Sequence, residues 1–431
     1  MMLSQRVPRN DLLDSVVRWE DNVFLVITGK NGEGKSRLLN KLIEQAFKSP
    51  DLYENIIATS TSVFEIFPSK MTMSDIKRRV KYHYIGTKSI LSRGGNNRTS
   101  MNLIISSCLG LLRSYNEKYN NYSLGSSHVK LREMFQTIGF DPVLEYIIKI
   151  DPSVSILDDV FGGYVFEKKG ERIAFESEKS KTLLIDELMS TFNSQKDRNN
   201  NIRLGYILGE DVRLYHGGKL EHRELDILMW LIDNEIVRII DVRFGKYEQK
   251  RRPNEWTSMR LASSGEQSII LTLVGIASRI DNNSIIFIDE PEISLHPEWQ
   301  ERFIDFLKDI FDDYRNCLFV IATHSPQIIS KLSNKKAYIY NINNEMLFNS
   351  SEYKERSSDY QLANVFNAPG SNNEYLTRIL VSWLVKFSKN ESFSKEEHSE
   401  MKNALMLKDK ILEDDPVKRL MSLVEDTMRI I

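Results

Sequence analysis

The residues with the clearest chemical potential form a glycine-rich stretch, Gly29-Lys30-Asn31-Gly32-Glu33-Gly34-Lys35-Ser36. It follows the apolar run Val23–Ile27 and precedes Arg37–Ile43, which has the spacing of a helix. A loop that wraps a polyphosphate must aim several backbone N–H groups at one point, and its glycines make that conformation accessible. The helix start adds a positive partial charge. Lys35 can reach the β- and γ-phosphates, and the hydroxyl of Ser36 is a hard oxygen suited to Mg²⁺.

Two adjacent carboxylates follow another apolar run, Ser284–Ile288. This pattern is typical of a central strand whose carboxyl end faces a ligand. Asp289 would hold Mg²⁺, and Glu290 would orient and deprotonate an attacking water. An Asp-Glu-Pro sequence alone ends many strands as a plain turn. Together with the glycine loop, it predicts a hydrolytic site.

A histidine and a serine-rich helix start complete the set. The apolar run Cys317–Ala322 leads to His324, which we expect at the same sheet edge in contact with the γ-phosphate. Ser263, Ser264, Gly265 and Glu266 open an apolar helix, and hydroxyls at a buried helix start predict a second anion site.

In combination these motifs resemble the ATP-binding-cassette (ABC) ATPase superfamily, in its SMC, RecF and OLD-like branch. Residues 29–36 match the Walker A motif, residues 263–267 the signature, Asp289-Glu290 the Walker B motif, Ile293–Pro297 the D-loop and Thr323–Pro326 the H-loop. The resemblance implies ATP and Mg²⁺ as cofactors, catalysis by Lys35, Glu290 and His324, and metal binding by Ser36 and Asp289. It also implies nucleotide binding by Gly29, Asn31, Gly32, Gly34, Lys35, Ser36, Arg37, Ser263, Ser264, Gly265 and Glu266.

In that superfamily the signature of one subunit closes over the nucleotide of another, which implies a homodimer or a larger homo-oligomer. Ser263 and Gly265 would then act on the partner's nucleotide. Two departures stand out: Ala262 replaces the usual leucine at the start of the signature, and no glutamine near residues 82–86 fits a Q-loop. His296-Pro297 fits either the D-loop or a structural turn.

A compact insertion resembles the ATPase subunits of bacterial antiphage systems such as Septu and PARIS. The 107 residues after His324 contain no Asp-x-Asp pair, so we expect no nuclease site in this chain and a separate nuclease or toxin as effector. Two alternatives remain open: a DNA-repair ATPase of the RecF or SMC type, and an ATP-binding scaffold with low turnover that holds a toxin inactive.

Composition and charge bear on the partners and the cellular compartment that we expect. The 431 residues carry a formal charge of −2, which neither indicates nor excludes nucleic acid as a partner. Cys108 and Cys317 have neither metal-ligand nor disulfide spacing. No apolar run reaches the ~20 residues of a membrane helix, so we expect a cytoplasmic protein with no membrane contact. The basic cluster Lys250-Arg251-Arg252 fits a solvated hairpin tip, or a contact to nucleic acid or an acidic partner.

The predicted fold is α/β: an ABC-type P-loop NTPase core with a parallel sheet, a mostly helical insertion and a helical C-terminal segment. The predicted boundaries are 1–70 and 255–350 for the core, 71–254 for the insertion, and 351–431 for the C-terminal segment. The 227-residue interval from Ser36 to Ser263 far exceeds one strand-helix-strand unit of ~30 residues, which is why a separate insertion is required.

Within the insertion, apolar spacing predicts helices over Val129–Ile150, Thr182–Phe192 and Glu221–Ile240. Alternation predicts a strand over Val80–Gly86 and a hairpin over Val165–Phe175.

Overall fold

The computed structural model describes residues 5–16, 21–60, 67–68, 80–86, 99–120, 126–158, 164–175, 179–215, 218–246, 256–330, 332, 336–352 and 357–428. Its strands, in chain order, are β1 Gln5–Arg6, β2 Val23–Thr28, β3 Asn55–Ser60, β4 Lys81–Gly86, β5 Phe140–Ile150, β6 Val154–Asp158, β7 Tyr164–Lys168, β8 Glu171–Phe175, β9 Ile202–Ile207, β10 Asp211–Leu214, β11 Val237–Lys246, β12 Thr257–Ser258, β13 Ser284–Asp289, β14 Leu318–Thr323, β15 Ala337–Asn341 and β16 Met346–Asn349.

The described α-helices are α1 Leu12–Ser15, α2 Lys35–Phe47, α3 Thr99–Asn120, α4 Ser126–Thr137, α5 Lys179–Ser194, α6 His222–Asp233, α7 Ser264–Ala277, α8 Pro297–Phe311, α9 Pro326–Ser330, α10 Ser358–Asn364, α11 Glu374–Ser388, α12 Lys395–Leu405 and α13 Pro416–Met428. None of these described helices is long and apolar enough to cross a bilayer.

The chain forms two compact units. The first comprises residues 1–82, 282–305 and 315–431, and the second comprises residues 83–281 and 306–314. Residues 255–281, which we predicted to belong to the ATPase core, cluster with the second unit. The C-terminal residues 351–431, predicted as a separate segment, cluster with the first.

An eight-stranded sheet has the order β1-β16-β15-β2-β14-β13-β3-β4. Its centre, from β15 to β3, is parallel, as predicted for an α/β core. Strands β2, β3, β13 and β14 are buried along their whole length, which explains their nearly continuous apolar sequences.

The strand register sets the position of the site. Thr28, the last residue of β2, pairs with Thr323, the last residue of β14. Asp289, the last residue of β13, pairs with Ala322, one residue earlier on β14. The carboxyl ends of three neighbouring strands therefore lie level at one edge, as the sequence predicts.

The second unit mixes helices with two antiparallel sheets, ordered β10-β9-β5-β11-β12 and β6-β7-β8. The predicted insertion thus contains these strands beside helices α3 to α6, and the hairpin β7–β8, strand β4 and helix α5 match their predicted segments. The cluster Lys250-Arg251-Arg252 lies outside the described residues.

Two helix predictions were wrong, each for a physical reason. Residues 140–150 form β5, the middle strand of the five-stranded sheet, because an apolar run buried by neighbours on both sides does not distinguish helix from strand. The helix predicted over 221–240 ends at Asp233, where Asn234 and Glu235 turn the chain, and Val237 begins β11. Glu235 takes a left-handed φ of 55° at this turn, which a helix cannot contain.

The C-terminal helices pack on a core of their own. Helices α10 to α13 and the connection between α12 and α13 contribute buried residues such as Leu380, Trp383, Met401 and Met421. Asn341, the last residue of β15, donates a hydrogen bond from its side chain to the carbonyl of Val365, next to α10. This helical segment therefore belongs structurally to the sheet-bearing unit.

Candidate functional site

The glycine loop connects β2 directly to α2, as predicted. Gly32 and Gly34 have left-handed φ values of 84° and 92°, which explains glycine at both positions. Gly29 is required for another reason, since a Cβ there would lie 2.5 Å from a methyl group of Ile342. The loop therefore has a fixed shape that larger residues at these positions would distort.

The Lys35 side chain is buried against the loop. Its ammonium group donates hydrogen bonds to the carbonyls of Gly29, at 3.0 Å, and Lys30, at 3.2 Å. It also lies 3.5 Å from the Glu290 carboxylate, and only 3% of the side chain is exposed. The predicted phosphate ligand is thus held over the cradle by groups that a phosphate could replace.

Ser36 and Asp289 form the candidate magnesium centre. The two side chains share a hydrogen bond, which by itself would lower the pKa of Asp289. Burial outweighs this effect and raises the pKa to about 6. Among the described residues, the buried Oδ1 of Asp289 has no hydrogen-bond partner. A buried carboxylate oxygen without a partner, beside a hydroxyl, fits the hard-oxygen preference of Mg²⁺.

This pair supplies only part of a coordination sphere. Across the ranges that the structure describes, no group of three or more His, Cys, Asp or Glu side chains is arranged to hold a metal ion. Mg²⁺ usually keeps several waters and binds through one or two protein groups plus substrate phosphates. The residues present therefore fit a metal that arrives with a nucleotide.

Glu290 turns sharply away from the strand that precedes it. Its φ of 47° is left-handed, an uncommon conformation for glutamate and one found in functional turns. Its Oε1 lies 3.5 Å from the Lys35 ammonium and 3.7 Å from Nδ1 of His324. Contact with His324 and then the charge of Lys35 hold the pKa of Glu290 below its usual range. It is therefore a carboxylate at neutral pH, as a general base must be.

His324 begins the loop after β14 and is held by two carboxylates. Its Nδ1 lies 2.9 Å from Oε1 of Glu292, and its backbone N–H donates to the same oxygen at 2.7 Å. Hydrogen bonding to Glu290 and Glu292 raises the pKa of His324 to about 9, although partial burial opposes this. The imidazole is therefore protonated at neutral pH and can donate to an anionic ligand.

Glu292 is a residue that our sequence reasoning missed. It is 6% exposed and lies three positions beyond Asp289, in a turn that we described only through Asp289, Glu290 and the D-loop. The available signal was a third acidic residue, in the sequence Asp-Glu-Pro-Glu, directly after a buried strand. Only the tertiary fold, which brings it to a histidine 32 positions away, shows its contact.

The D-loop turn is tied to the H-loop by a second side chain. Gln300 donates to the carbonyl of Leu295 at 3.1 Å and accepts from the Ser325 hydroxyl at 2.8 Å. His296 contributes its carbonyl to the amides of Trp299 and Gln300 at the start of α8. His296 therefore lies at the start of α8, a position that fits the predicted D-loop and a structural turn alike.

The predicted signature lies in the second unit. Ser263 and Glu266 form a capping box: the Ser263 hydroxyl accepts from the Glu266 amide at 3.2 Å, and the Glu266 carboxylate accepts from the Ser263 amide at 2.6 Å. The hydroxyl hydrogen of Ser263 is not used in this box. Ser263 and Ser264 are exposed and Gly265 is buried.

The fold thus groups Lys35, Ser36, Asp289, Glu290 and His324 at one sheet edge, as predicted. Asn31 and Arg37 lie at exposed positions of the loop and of the first turn of α2. The predicted nucleotide contacts of these two residues stay predictions, as do those of the signature residues.

A family model described as "AAA domain, putative AbiEii toxin, Type IV TA system" matches residues 175–330. Among curated proteins, "Retron Ec83 probable ATPase" from Escherichia coli is 31% identical over 88 residues, which cover 18% of this chain and 16% of that protein. "Retron Vc95 probable ATPase" from Vibrio cholerae is 21% identical over 168 residues, covering 37% and 30%. "Protein ea59" from Escherichia phage lambda is 34% identical over 70 residues, covering 16% and 13%.

These similarities support an ATPase of the AAA or ABC-like type. The family match includes the signature, the carboxylate pair and His324, but not the glycine loop at residues 29–36. The matched segments cover less than a third of each of these relatives.

Proposed function

We propose that the protein is a Mg²⁺-dependent ATP hydrolase that dimerises around ATP and regulates a separate effector, a nuclease or a toxin, in antiphage defence. The observation that carries the hydrolase is the buried pairing of Ser36 with Asp289, whose Oδ1 is left without a hydrogen-bond partner in the described part of the chain. The names of the retron relatives support an ATPase of such a system.

The residues at the sheet edge have distinct chemical roles in this proposal. Lys35 exchanges its two loop carbonyls for β- and γ-phosphate oxygens and neutralises their charge. Mg²⁺, held by Ser36 and Asp289 together with the nucleotide, would polarise the phosphates. Glu290 accepts a proton from the attacking water, whose oxygen bonds to the γ-phosphorus as the bond to the ADP oxygen breaks. Protonated His324 donates to a γ-phosphate oxygen.

The dimer rests on the exposed start of α7. Ser263 presents an unused hydroxyl hydrogen there, and the helix end adds a positive partial charge. We infer that this surface caps the terminal phosphate bound by a second copy.

The test is the molar mass of the Glu290→Gln variant, measured by light scattering with and without Mg-ATP. Slow hydrolysis should trap the closed state, so the mass should double with Mg-ATP and return to that of the monomer in EDTA. Lys35→Ala, which loses the phosphate ligand, is the matched control and should stay monomeric. A Glu290→Gln protein that binds ATP yet stays monomeric would refute the proposed dimer, whereas the proposed ATP hydrolysis would be unaffected by that result.

A toxin-holding scaffold with low turnover is a second candidate, favoured by the toxin named in the matching family's description. It predicts that purified protein binds ATP tightly and releases almost no phosphate, alone or with the product of the neighbouring gene. A DNA-repair ATPase instead predicts turnover stimulated by DNA, and loss of DNA binding when Lys250, Arg251 and Arg252 are neutralised. Stimulation by the neighbouring gene product alone supports the effector-regulating ATPase.

A further inference from the structure

Three acidic side chains lie within four positions at the end of β13: Asp289, Glu290 and Glu292. The first two have roles in the proposed hydrolysis, and Glu292 has none. It is nevertheless the most tightly engaged with His324, since one of its oxygens contacts both the ring and the backbone of that residue, at 2.9 and 2.7 Å. Its other oxygen, Oε2, is buried and lacks a hydrogen-bond partner within the ranges described.

Two carboxylates compete for the same N–H group of His324. Nδ1 lies 2.9 Å from Glu292 but 3.7 Å from Glu290, so Glu292 makes the closer contact. Nδ1 has no well-directed hydrogen bond within the described residues, so its contact with Glu292 is one of charge and distance, and it leaves Nε2 as the other donor of the protonated ring. Glu292 therefore holds the same side of the ring that Glu290 approaches from a greater distance.

We propose that Glu292 is a positioning residue of the ATPase site, which fixes the His324 ring, keeps it cationic and directs its Nε2–H toward the terminal phosphate. This inference rests on the proposed hydrolase and extends it by assigning the control of His324 to one side chain. Gln300 joins the same two loops at Ser325, but it is neutral and contacts no atom of the His324 ring among the contacts described. Glu292 and Gln300 therefore both connect these two loops, but only Glu292 adds a negative charge next to the His324 ring.

Among the described residues, two ionisable groups influence the His324 ring directly. Glu290 and Glu292 face it from the turn after β13, and Lys35, at the start of α2, lies against Glu290. The two carboxylates favour the protonated ring and its partial burial opposes it. Glu292→Gln keeps an oxygen that can accept both hydrogen bonds but removes one of the two negative charges, so the pKa of His324 should fall.

The first test does not depend on turnover. The protein has seven histidines, so the imidazole signals of ¹⁵N-histidine-labelled protein can be titrated by NMR, with His324 assigned from a His324→Gln sample. In Glu292→Gln the pKa of His324 should fall from about 9 by at least about one unit. It should be unchanged in Gln300→Ala and in Glu298→Gln, where an exposed glutamate on α8 is neutralised.

The second test uses phosphate release as a function of pH. A donor is lost when His324 deprotonates, so activity should fall as the pH rises through its pKa, and this fall should begin at lower pH in Glu292→Gln. We expect kcat to be reduced about tenfold at pH 8.5 and less than about threefold at pH 6.5, with KM nearly constant. Glu298→Gln should follow the wild-type profile.

The outcomes distinguish the two proposals. An unshifted His324 pKa in a folded Glu292→Gln protein overturns the role of Glu292, whatever the ATPase does. A shifted pKa in a protein whose wild type releases no phosphate keeps the Glu292–His324 coupling and overturns the hydrolase. A thermal melt of each variant establishes that it is folded.

Discussion

Two buried carboxylates in this protein have opposite surroundings. Asp289 ends a parallel strand beside the glycine loop, and Glu145 lies in the middle of β5 in the other unit. Their exposures are 3% and 2%, and burial raises the pKa of both. Burial of a charge alone therefore does not identify a ligand site.

The difference lies in what surrounds each carboxylate. Glu145 lies between Arg203 on β9 and Arg243 on β11, each 3.8 Å away, so its charge is compensated within its own sheet. Both residues have a buried carboxylate oxygen without a hydrogen-bond partner among the described residues, but Asp289 lies beside the hydroxyl of Ser36 and near the Lys35 ammonium, and its position at the end of a strand allows a ligand to approach. We therefore interpret the carboxylate at a strand end beside the glycine loop as a candidate ligand, and the carboxylate at a strand centre between two arginines as part of the fold.

The largest expected effect comes from Lys35→Ala. Removing the cation over the cradle eliminates two charge-assisted contacts to phosphate, so ATP affinity should fall about 100-fold, or about 3 kcal/mol. Isothermal titration calorimetry with Mg-ATP measures it. Lys30→Ala, an exposed neighbour in the same loop, should change affinity less than about threefold. Equal losses in the two variants would mean that Lys35 has no special role.

Asp289→Asn should stabilise the folded protein when no metal is bound. Burial raises the pKa of the wild-type carboxylate to about 6, so at pH 7.5 the folded protein holds a buried charge at a cost in stability. Replacing this carboxylate by an amide should therefore raise the free energy of unfolding by about 1–3 kcal/mol at pH 7.5 in EDTA. The gain should shrink below pH 6, where the folded wild type already binds the proton. Denaturant melts at both pH values measure this, and a destabilised variant would contradict an energetic cost of burying the Asp289 charge.

The smallest effect is expected for Glu145→Gln. The side chains of Arg203 and Arg243 are 35% and 30% exposed, so both remain hydrated when the carboxylate charge is removed. We expect a stability change within about 1 kcal/mol and phosphate release within about twofold of the wild type. A strong loss of phosphate release in a folded variant would show that the comparison with Asp289 is mistaken.

The sequence predicted which residues meet at the sheet edge of the candidate site, because the determinants of that edge are local. Glycines at left-handed positions, apolar runs that end in polar residues and the order of the motifs are all visible along the chain, and the register of β2, β13 and β14 agrees with them. Strand β5 and the end of α6 were not predictable in this way, because tertiary neighbours decide between helix and strand for an apolar segment. Glu292 was missed for a related reason, since its partner lies on another strand.

The most direct measurement is the rate of phosphate release from Mg-ATP by wild type and Glu290→Gln at equal nucleotide occupancy. A general base typically contributes 10²–10⁴-fold, so we expect the variant to release phosphate at least about 100 times more slowly while it still binds ATP. Equal rates in the two proteins, with binding intact, would contradict a hydrolytic site built from these strand ends.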